Sequence, residues 1–272
     1  MSVSTLLALK NKFFPEKTGR RLDPRTMAHH MAKAILAAPV SPDPWPYIYV
    51  DNVFLSDDYN MILDAFEYSS SHFKAQVHTG DRKVFHGSYE EREEFRVGRT
   101  GENIDKTAPG IWLDVWDALT SRTFSDALRQ KFAAEYRKRF GDFMDNKHFQ
   151  DYLDPTLLIT RHLENYYIGP HTDRSEKVVT CIFNFPEHEA LEHIGTAMYA
   201  PKQPDFKSDG LVHLNPDDFD YTHTVPFRPN SALIFFRTDI SFHGVQRLTA
   251  SNLMGSPRYN VQYNLWDWGR RP

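Results

Sequence analysis

The chain has 272 residues, of which 40% are hydrophobic and 25% are charged, the balance of an ordinary globular protein with a full core. Its formal net charge of −4 gives no reason to expect nucleic acid or an anionic membrane surface as a partner. A single cysteine, Cys181, excludes an internal disulfide framework. No export signal or membrane-length apolar run stands out, so we expect a soluble, cytoplasmic protein.

The chain is predicted to contain a short arm and one catalytic domain. Residues 1–45 form an irregular arm with one helix, roughly 24–38, which a proline-rich segment closes. Residues 46–272 form the domain, in which 46–150 are a helical buttress and 151–272 are a β core.

Within the buttress, the run 47–54 is typical of a short strand. A helix is expected to follow with Ser56 as its N-cap, and a second helical pattern covers 109–145. The charged stretch between them, 88–106, is predicted to be a solvated, mobile loop.

The C-terminal half changes to short β-branched or aromatic runs between Gly, Pro, Asn and Asp. Seven such runs with no intervening helix favour a sandwich or barrel over a parallel sheet. The expected fold is therefore a mainly β core with helical support (α+β), and its core is similar to a jelly roll. The runs are TLLITRHLENYYI, KVVTCIFNF, GTAMYA, THTVPFR, SALIFFRT, SFHGVQRL and RYNVQYNLWDW.

A candidate metal site follows the first of these runs. His171 and Asp173 lie two residues apart at a strand end, and side chains at that spacing point to one face. A facial triad for non-haem Fe(II) needs a second imidazole, and His243, directly after a buried-looking strand, is the best-placed candidate. The alternatives are a turn capped by Asp173 and a hydrogen-bonded core histidine at His243.

Arg258 opens the last predicted strand. A guanidinium at the start of a core strand is costly unless an anion meets it. The far carboxylate of a dicarboxylic cosubstrate would satisfy that need, and an internal salt bridge is the alternative.

Four motifs, in this order, resemble the Fe(II)/2-oxoglutarate-dependent dioxygenases, and their prolyl-4-hydroxylase-like branch in particular. They are PHTD at 170–173, GTAMY at 195–199, RPNSALIFF with SFHGV within 228–245, and RYNVQYNLW at 258–266. The resemblance implies a double-stranded β-helix in which His171, Asp173 and His243 bind Fe(II). It further implies that Arg258 binds the C5 carboxylate of 2-oxoglutarate and that Thr180 contacts the same cosubstrate. Asn260 stands where many relatives have Ser.

The same resemblance implies that O2 and 2-oxoglutarate are consumed while an unactivated C–H bond is hydroxylated, with release of succinate and CO2. We expect a small-molecule substrate, such as an amino acid, a sugar acid or a natural-product intermediate. Related halogenases lack the carboxylate, so Asp173 favours hydroxylation. Arg96, Arg99 and Arg161 are candidate contacts for an anionic substrate, with solvated surface arginines as the plainer reading.

Other functions remain open at this point. The enzyme could be a prolyl or peptidyl hydroxylase acting on a protein. A cupin-like metalloenzyme or a sugar-binding jelly roll would not use 2-oxoglutarate and would have no need of Arg258. The sequence contains no signal for an oligomeric state.

Overall fold

The computed structural model describes residues 21–75, 87–88, 91–99, 103–212 and 214–270. These residues form six α-helices: α1 (Pro24–Ala37), α2 (Ser56–Tyr68), α3 (Gly110–Leu119), α4 (Arg122–Lys131), α5 (Ala133–Phe140) and α6 (Ala250–Leu253). They also form thirteen strands: β1 (Val40–Ser41), β2 (Tyr47–Asp51), β3 (Lys74–Ala75), β4 (Gly87–Ser88), β5 (Arg92–Val97), β6 (Asp154–His162), β7 (Tyr167–His171), β8 (Lys177–Phe185), β9 (Thr196–Pro201), β10 (Phe219–Val225), β11 (Ser231–Phe236), β12 (His243–Val245) and β13 (Arg258–Trp266). None of the described helices is long and apolar enough to cross a bilayer.

The strands belong to two antiparallel sheets. The larger sheet has eight strands in the order β1-β2-β11-β8-β13-β6-β5-β3, and the smaller has five in the order β10-β9-β12-β7-β4. The seven predicted β runs are confirmed as strands of these sheets, and the prediction of antiparallel rather than parallel pairing is confirmed. Mixed α and β structure dominated by antiparallel sheets is therefore the observed fold class.

Strand β13 shows how one sheet separates the core from the site. Its apolar residues alternate with polar ones, and successive side chains point to opposite faces. The apolar face meets the helices, with Tyr259 against Phe66 of α2 (ring centroids 4.6 Å apart) and Tyr263 against Phe124 of α4 (5.5 Å). The polar face consequently points toward the space between the two sheets.

Helix α1 lies where the sequence predicts a helix, within the segment expected to be an N-terminal arm. The Asp23 side chain accepts a hydrogen bond from the Arg25 N–H, and proline occupies the first turn, where its missing N–H costs nothing. Met27, Met31 and Ile35 form a buried stripe, so the helix packs into the main core.

The expectation of a solvated loop at 88–106 is wrong for residues 92–97, which form β5 and pair with β6 along its length. Phe95 and Val97 point into the core, and their alternation with charged residues is strand periodicity. Ion pairs satisfy much of the charge, including Arg92 with Glu94 (2.9 Å). Residues 89–90 and 100–102 of the stretch lie outside the described residues.

An apolar cluster fills the space between the two sheets behind His243. The rings of Trp45 and Phe235 lie 6.3 and 4.9 Å from the imidazole of His243. The Trp45 indole N–H donates to the carbonyl of Phe242 (3.0 Å), which fixes its position. The members of the cluster are Trp45, Tyr47, Ile182, Met198, Val225, Leu233 and Phe235.

Candidate metal centre

Strands β7 and β12 bring the three predicted metal ligands together. His171 ends β7 and faces His243, its antiparallel partner at the start of β12, with ring centroids 4.4 Å apart. Directly opposite residues share a face of the sheet, so both imidazoles point the same way. Asp173 follows two residues later, and one ligand atom from each of the three lies within 4.8 Å of the others. Two imidazoles and one carboxylate therefore converge as a metal site requires.

Each histidine is oriented by its own strand. The Nδ1 atoms of His171 and His243 lie 3.0 Å from the carbonyl oxygens of Gly169 and Ser241. A carbonyl can only accept, so Nδ1 carries the proton and Nε2 carries the lone pair that a metal would take. Burial lowers the pKa of His243, which favours the neutral ring that ligation needs.

The Asp173 carboxylate accepts hydrogen bonds from two side chains of β8. Lys177 donates to Oδ1 and the Thr180 hydroxyl donates to Oδ2, both at 2.6 Å. Burial alone would raise the pKa of this carboxyl, but Lys177 and the two histidines outweigh it and hold the pKa below its usual range. A carboxylate has about four lone-pair sites, so these two bonds leave room for a metal. Thr180 thus supports Asp173, and its predicted contact with the cosubstrate stays a prediction.

The backbone of Asp173 has a support that the sequence did not reveal. The buried guanidinium of Arg237 donates to the carbonyl of Asp173 (2.9 Å) and to that of Ser208 (2.8 Å). Gly210 packs so closely that an added Cβ would lie 2.1 Å from the Asp173 carbonyl oxygen. The segment around 208–210 therefore supports the predicted metal ligand Asp173, and this contact is visible only in the folded chain.

Arg258 is 1% exposed, yet its contacts are all neutral among the residues that the structure describes. Its nitrogens approach the carbonyl oxygen of Ile194 (2.8 Å), Nδ1 of His162 (3.1 Å), the amide oxygen of Asn260 (2.5 Å) and the hydroxyl of Thr196 (3.5 Å). Burial lowers the pKa of Arg258 to about 10, so the group remains a cation at neutral pH. The internal salt bridge considered as an alternative is not formed with any described acid. A buried cation with neutral partners still needs an anion.

His162 is a further site residue that the sequence reasoning missed. A guanidinium can only donate, so the contact with Arg258 makes Nδ1 the acceptor and places the ring proton on Nε2. Nε2 is buried and has no partner among the described residues. Burial, then the charges of Arg258 and Arg92, hold the pKa of His162 well below its usual value. The available signal was register, because β6 runs beside β13 and places His162 opposite Arg258.

The site opens into a cavity of about 570 Å³, a volume typical of small-molecule sites. The metal triad, Thr180, His162 and Arg258 line it together. Arg96 also lines it, whereas Arg99 pairs with Asp117 and Arg161 pairs with Glu93 away from the cavity. Of the three arginines proposed from sequence as substrate contacts, the geometry retains Arg96.

No protein-family profile and no curated protein sequence matches the chain. Similar solved structures include a prolyl-4-hydroxylase from Pseudomonas putida, at 12% identity and a TM-score of 0.48, over 88% of this chain and 98% of that chain. A putative oxygenase from Shewanella oneidensis matches at 14% and 0.46, over 88% of this chain and 86% of that one. HygX from Streptomyces hygroscopicus, solved with nickel and 2-oxoglutarate bound, matches at 12% and 0.39, over 82% and 83%. At identities and TM-scores this low, the function has to be derived from the residues of the chain itself.

Proposed function

We propose that the protein is an Fe(II)- and 2-oxoglutarate-dependent dioxygenase of the prolyl-4-hydroxylase-like branch, with residues 46–272 as one catalytic domain on a double-stranded β-helix. The observation that carries the proposal is the placement of Arg258. A buried guanidinium with only neutral described partners lines the same cavity as two histidines and an aspartate.

The donor set suits iron. Two imidazole nitrogens and one carboxylate are the facial triad of non-haem Fe(II) oxygenases, which leaves positions open for other ligands. His171, Asp173 and His243 would hold the ion, which when bound supplies the capacity to activate O2. Both Nδ1–H groups donate to backbone carbonyls and the carboxylate accepts from Thr180, and these hydrogen bonds orient the three side chains for ligation.

The chain's own residues would position the cosubstrate. Arg258 pairs with the C5 carboxylate of 2-oxoglutarate, and the amide oxygen of Asn260 helps to hold the guanidinium in place. The Asn260 amide nitrogen is already used, because it donates to the carbonyl of Phe183 and to Asn184. Asn260 is therefore a positioning residue for Arg258.

The reaction would couple two oxidations. One O2, one 2-oxoglutarate and one substrate C–H give succinate, CO2 and the substrate alcohol. Succinate and the alcohol each receive one of the two oxygen atoms of O2. The apolar cluster behind His243 keeps bulk water from that side of the site, which favours hydroxylation over wasteful side reactions. The substrate would be a small molecule, since the cavity has the volume of a small-molecule site.

Two competing functions make no use of Arg258. A sugar-binding jelly roll needs no buried cation beside a metal triad, and a cupin-like metalloenzyme that acts directly on its substrate needs no dicarboxylate anchor. A prolyl or peptidyl hydroxylase would share the iron and cosubstrate sites and would differ only in its substrate.

The test is an anaerobic titration with Fe(II) and 2-oxoglutarate, followed by the visible charge-transfer band that chelation produces. We expect the band in the wild type and its loss in Asp173→Ala. In Arg258→Gln the metal should still bind, while the affinity for 2-oxoglutarate falls roughly 100-fold, about 3 kcal/mol. Arg247→Gln, at an exposed arginine stacked over Tyr167, is the matched control and should behave as the wild type. A wild type that binds metal without the band would favour the cupin-like alternative.

A further inference from the structure

The cavity extends beyond the groups assigned to the metal and the cosubstrate. Its far side is formed by β3 and β5 of the larger sheet, and we refer to Lys74, Arg92, Glu94 and Arg96 as the outer wall. Lys74 lies opposite Glu94 in the register of the two strands. Opposite residues share a face, so the outer wall is one continuous surface.

Sheet register separates Arg96 from the cosubstrate anchor. Arg258, His162 and Arg92 form one row across three strands, and Gln262, Leu158 and Arg96 form another. The two rows are four residues apart, about 13 Å along the strands. Arg96 is therefore placed to meet a different anionic group from the one at Arg258.

The charges that line the cavity are unbalanced. Among the described residues, two acids and six basic side chains line it. Both acids already have a basic partner, Glu94 with Arg92 at 2.9 Å and Asp173 with Lys177 at 2.6 Å. The described acids leave Lys74 and Arg96 unpaired, so the charged side chains that line the cavity carry an excess of positive charge.

A flat apolar surface lies at the same cavity. Trp266 and Trp268 stack with ring centroids 5.3 Å apart and planes within 4°, and both line the cavity. Trp268 is 47% exposed, which is unusual for so large an apolar side chain. A ring in the substrate could stack on this surface while a charged group reaches Arg96.

We propose that the outer wall binds a carboxylate or phosphate group of the substrate, with Arg96 as its anchor, so that the substrate class is an anionic small molecule. The identification of this bound anion as part of the substrate rests on the proposed function. The anion site itself does not, because Arg96 and Lys74 lie outside the metal triad and outside the row of Arg258.

Inorganic phosphate and acetate are the probes, added to protein loaded with Mn(II) and saturated with 2-oxoglutarate, with protein in excess over metal. Paramagnetic broadening of the ³¹P or ¹³C signal reports an anion bound near the metal. The comparison is Arg96→Gln against Arg99→Gln, because Arg99 lies nearby in sequence, is exposed and is outside the cavity. We expect saturable broadening in the wild type, at least tenfold weaker binding in Arg96→Gln, and no more than a twofold change in Arg99→Gln. Arg96→Lys, which keeps the charge, should restore most of the affinity.

Broadening by phosphate alone would assign a phosphorylated substrate, and broadening by acetate as well would extend the class to carboxylates. Broadening that is absent from the wild type, or equal in the two glutamine variants, would overturn the proposal. If 2-oxoglutarate does not bind, the proposed function is wrong, but the anion-site proposal is not thereby decided. Calorimetric titration of the metal-free protein with phosphate then makes the same comparison of variants without metal or cosubstrate.

Discussion

His162 is a buried base whose surroundings keep it neutral. Burial and the nearby charges of Arg258 and Arg92 hold its pKa well below the usual value. In the unfolded chain the ring takes up a proton as the pH falls through about 6.5, whereas the folded protein leaves it neutral. Below that pH the unfolded state binds more protons, so the free energy of unfolding decreases as the pH falls.

His162→Asn should reduce this pH dependence, because the Asn oxygen can still accept from Arg258 but cannot titrate. Between pH 5 and 6.5 the slope of the free energy of unfolding should fall by up to about 1.4 kcal/mol per pH unit. Urea unfolding at several pH values measures it. His193→Gln, at an exposed ring, should leave the slope unchanged, and an unchanged slope in His162→Asn would refute the assignment.

Gly210 and Gly255 separate two effects of a glycine substitution. Both have positive φ, +78° and +81°, where any Cβ is strained. An added Cβ at Gly255 meets nothing within 4 Å, but at Gly210 it would collide with the backbone of Asp173. Each alanine variant should lose about 1 kcal/mol of stability from strain.

Gly210→Ala should in addition weaken metal binding by at least tenfold, since it displaces a ligand through its supporting backbone. Titration with Co(II), followed by its visible absorption, measures the affinity. Gly255→Ala should bind the metal as the wild type does. Equal metal affinities in the two variants would show that the segment around Gly210 does not position Asp173.

The single residues that can be predicted from the sequence are those whose type and spacing indicate their chemistry. His171, Asp173 and His243 are a recognisable donor set, and an arginine opening a core strand signals an anion. Arg237 and Gly210 carry no such signal, because they act through backbone carbonyls that come near only after the chain folds. His162 is intermediate, since its role depends on the register of two strands.

At the scale of elements, α1 ties the N-terminal part of the chain to the helical layer. Met31 is fully buried on the inner face of this helix, while Leu36 is 40% exposed on the same helix. Met31→Ala should therefore lower the free energy of unfolding by about 2–5 kcal/mol through lost burial and the resulting cavity.

Leu36→Ala should change stability by no more than about 0.5 kcal/mol. Thermal and urea unfolding compare the two variants, and the 2-oxoglutarate band should persist in both at temperatures where they are folded. A Met31→Ala loss as small as that of Leu36→Ala would mean that α1 contributes little to the core.

Strand β5 shows why a strand rich in charged residues can be mistaken for a loop. Charge usually indicates exposure to solvent, and on that ground the charges around Arg92 to Arg96 predict a loop. In β5, every second residue (Arg92, Glu94 and Arg96) lines a polar cavity. The side chains still alternate between two faces, but the usual contrast between a buried apolar face and an exposed polar face is lost. The pairs Arg92–Glu94 and Glu93–Arg161 neutralise charges on the two faces. The alternation of Phe95 and Val97 with charged residues is the sequence signal that indicates this strand.

For the molecule as a whole, the sequence was sufficient to predict antiparallel sheets supported by helices, because β-branched runs and turn residues alternate along the C-terminal half. It was insufficient to predict a polar interior. The space between the sheets is apolar around Trp45 and Phe235, whereas polar side chains such as Asn264 and Gln262 line the cavity. Periodicity gives the faces of each strand, but which faces meet depends on how the sheets pack.

The strand order of the larger sheet gives the protein a modular layout. Arg258, the proposed dicarboxylate anchor, is on β13, with strands on both sides. The proposed metal ligands come from the smaller sheet and the turn after β7, while Lys74 and Arg96 belong to the last two strands at one edge. A residue near an edge can be exchanged with little disturbance to the hydrogen bonds of the interior. If the proposed function holds, selectivity in such a layout can evolve, or be redesigned in the laboratory, at β3 and β5 while the proposed oxidative chemistry is inherited unchanged.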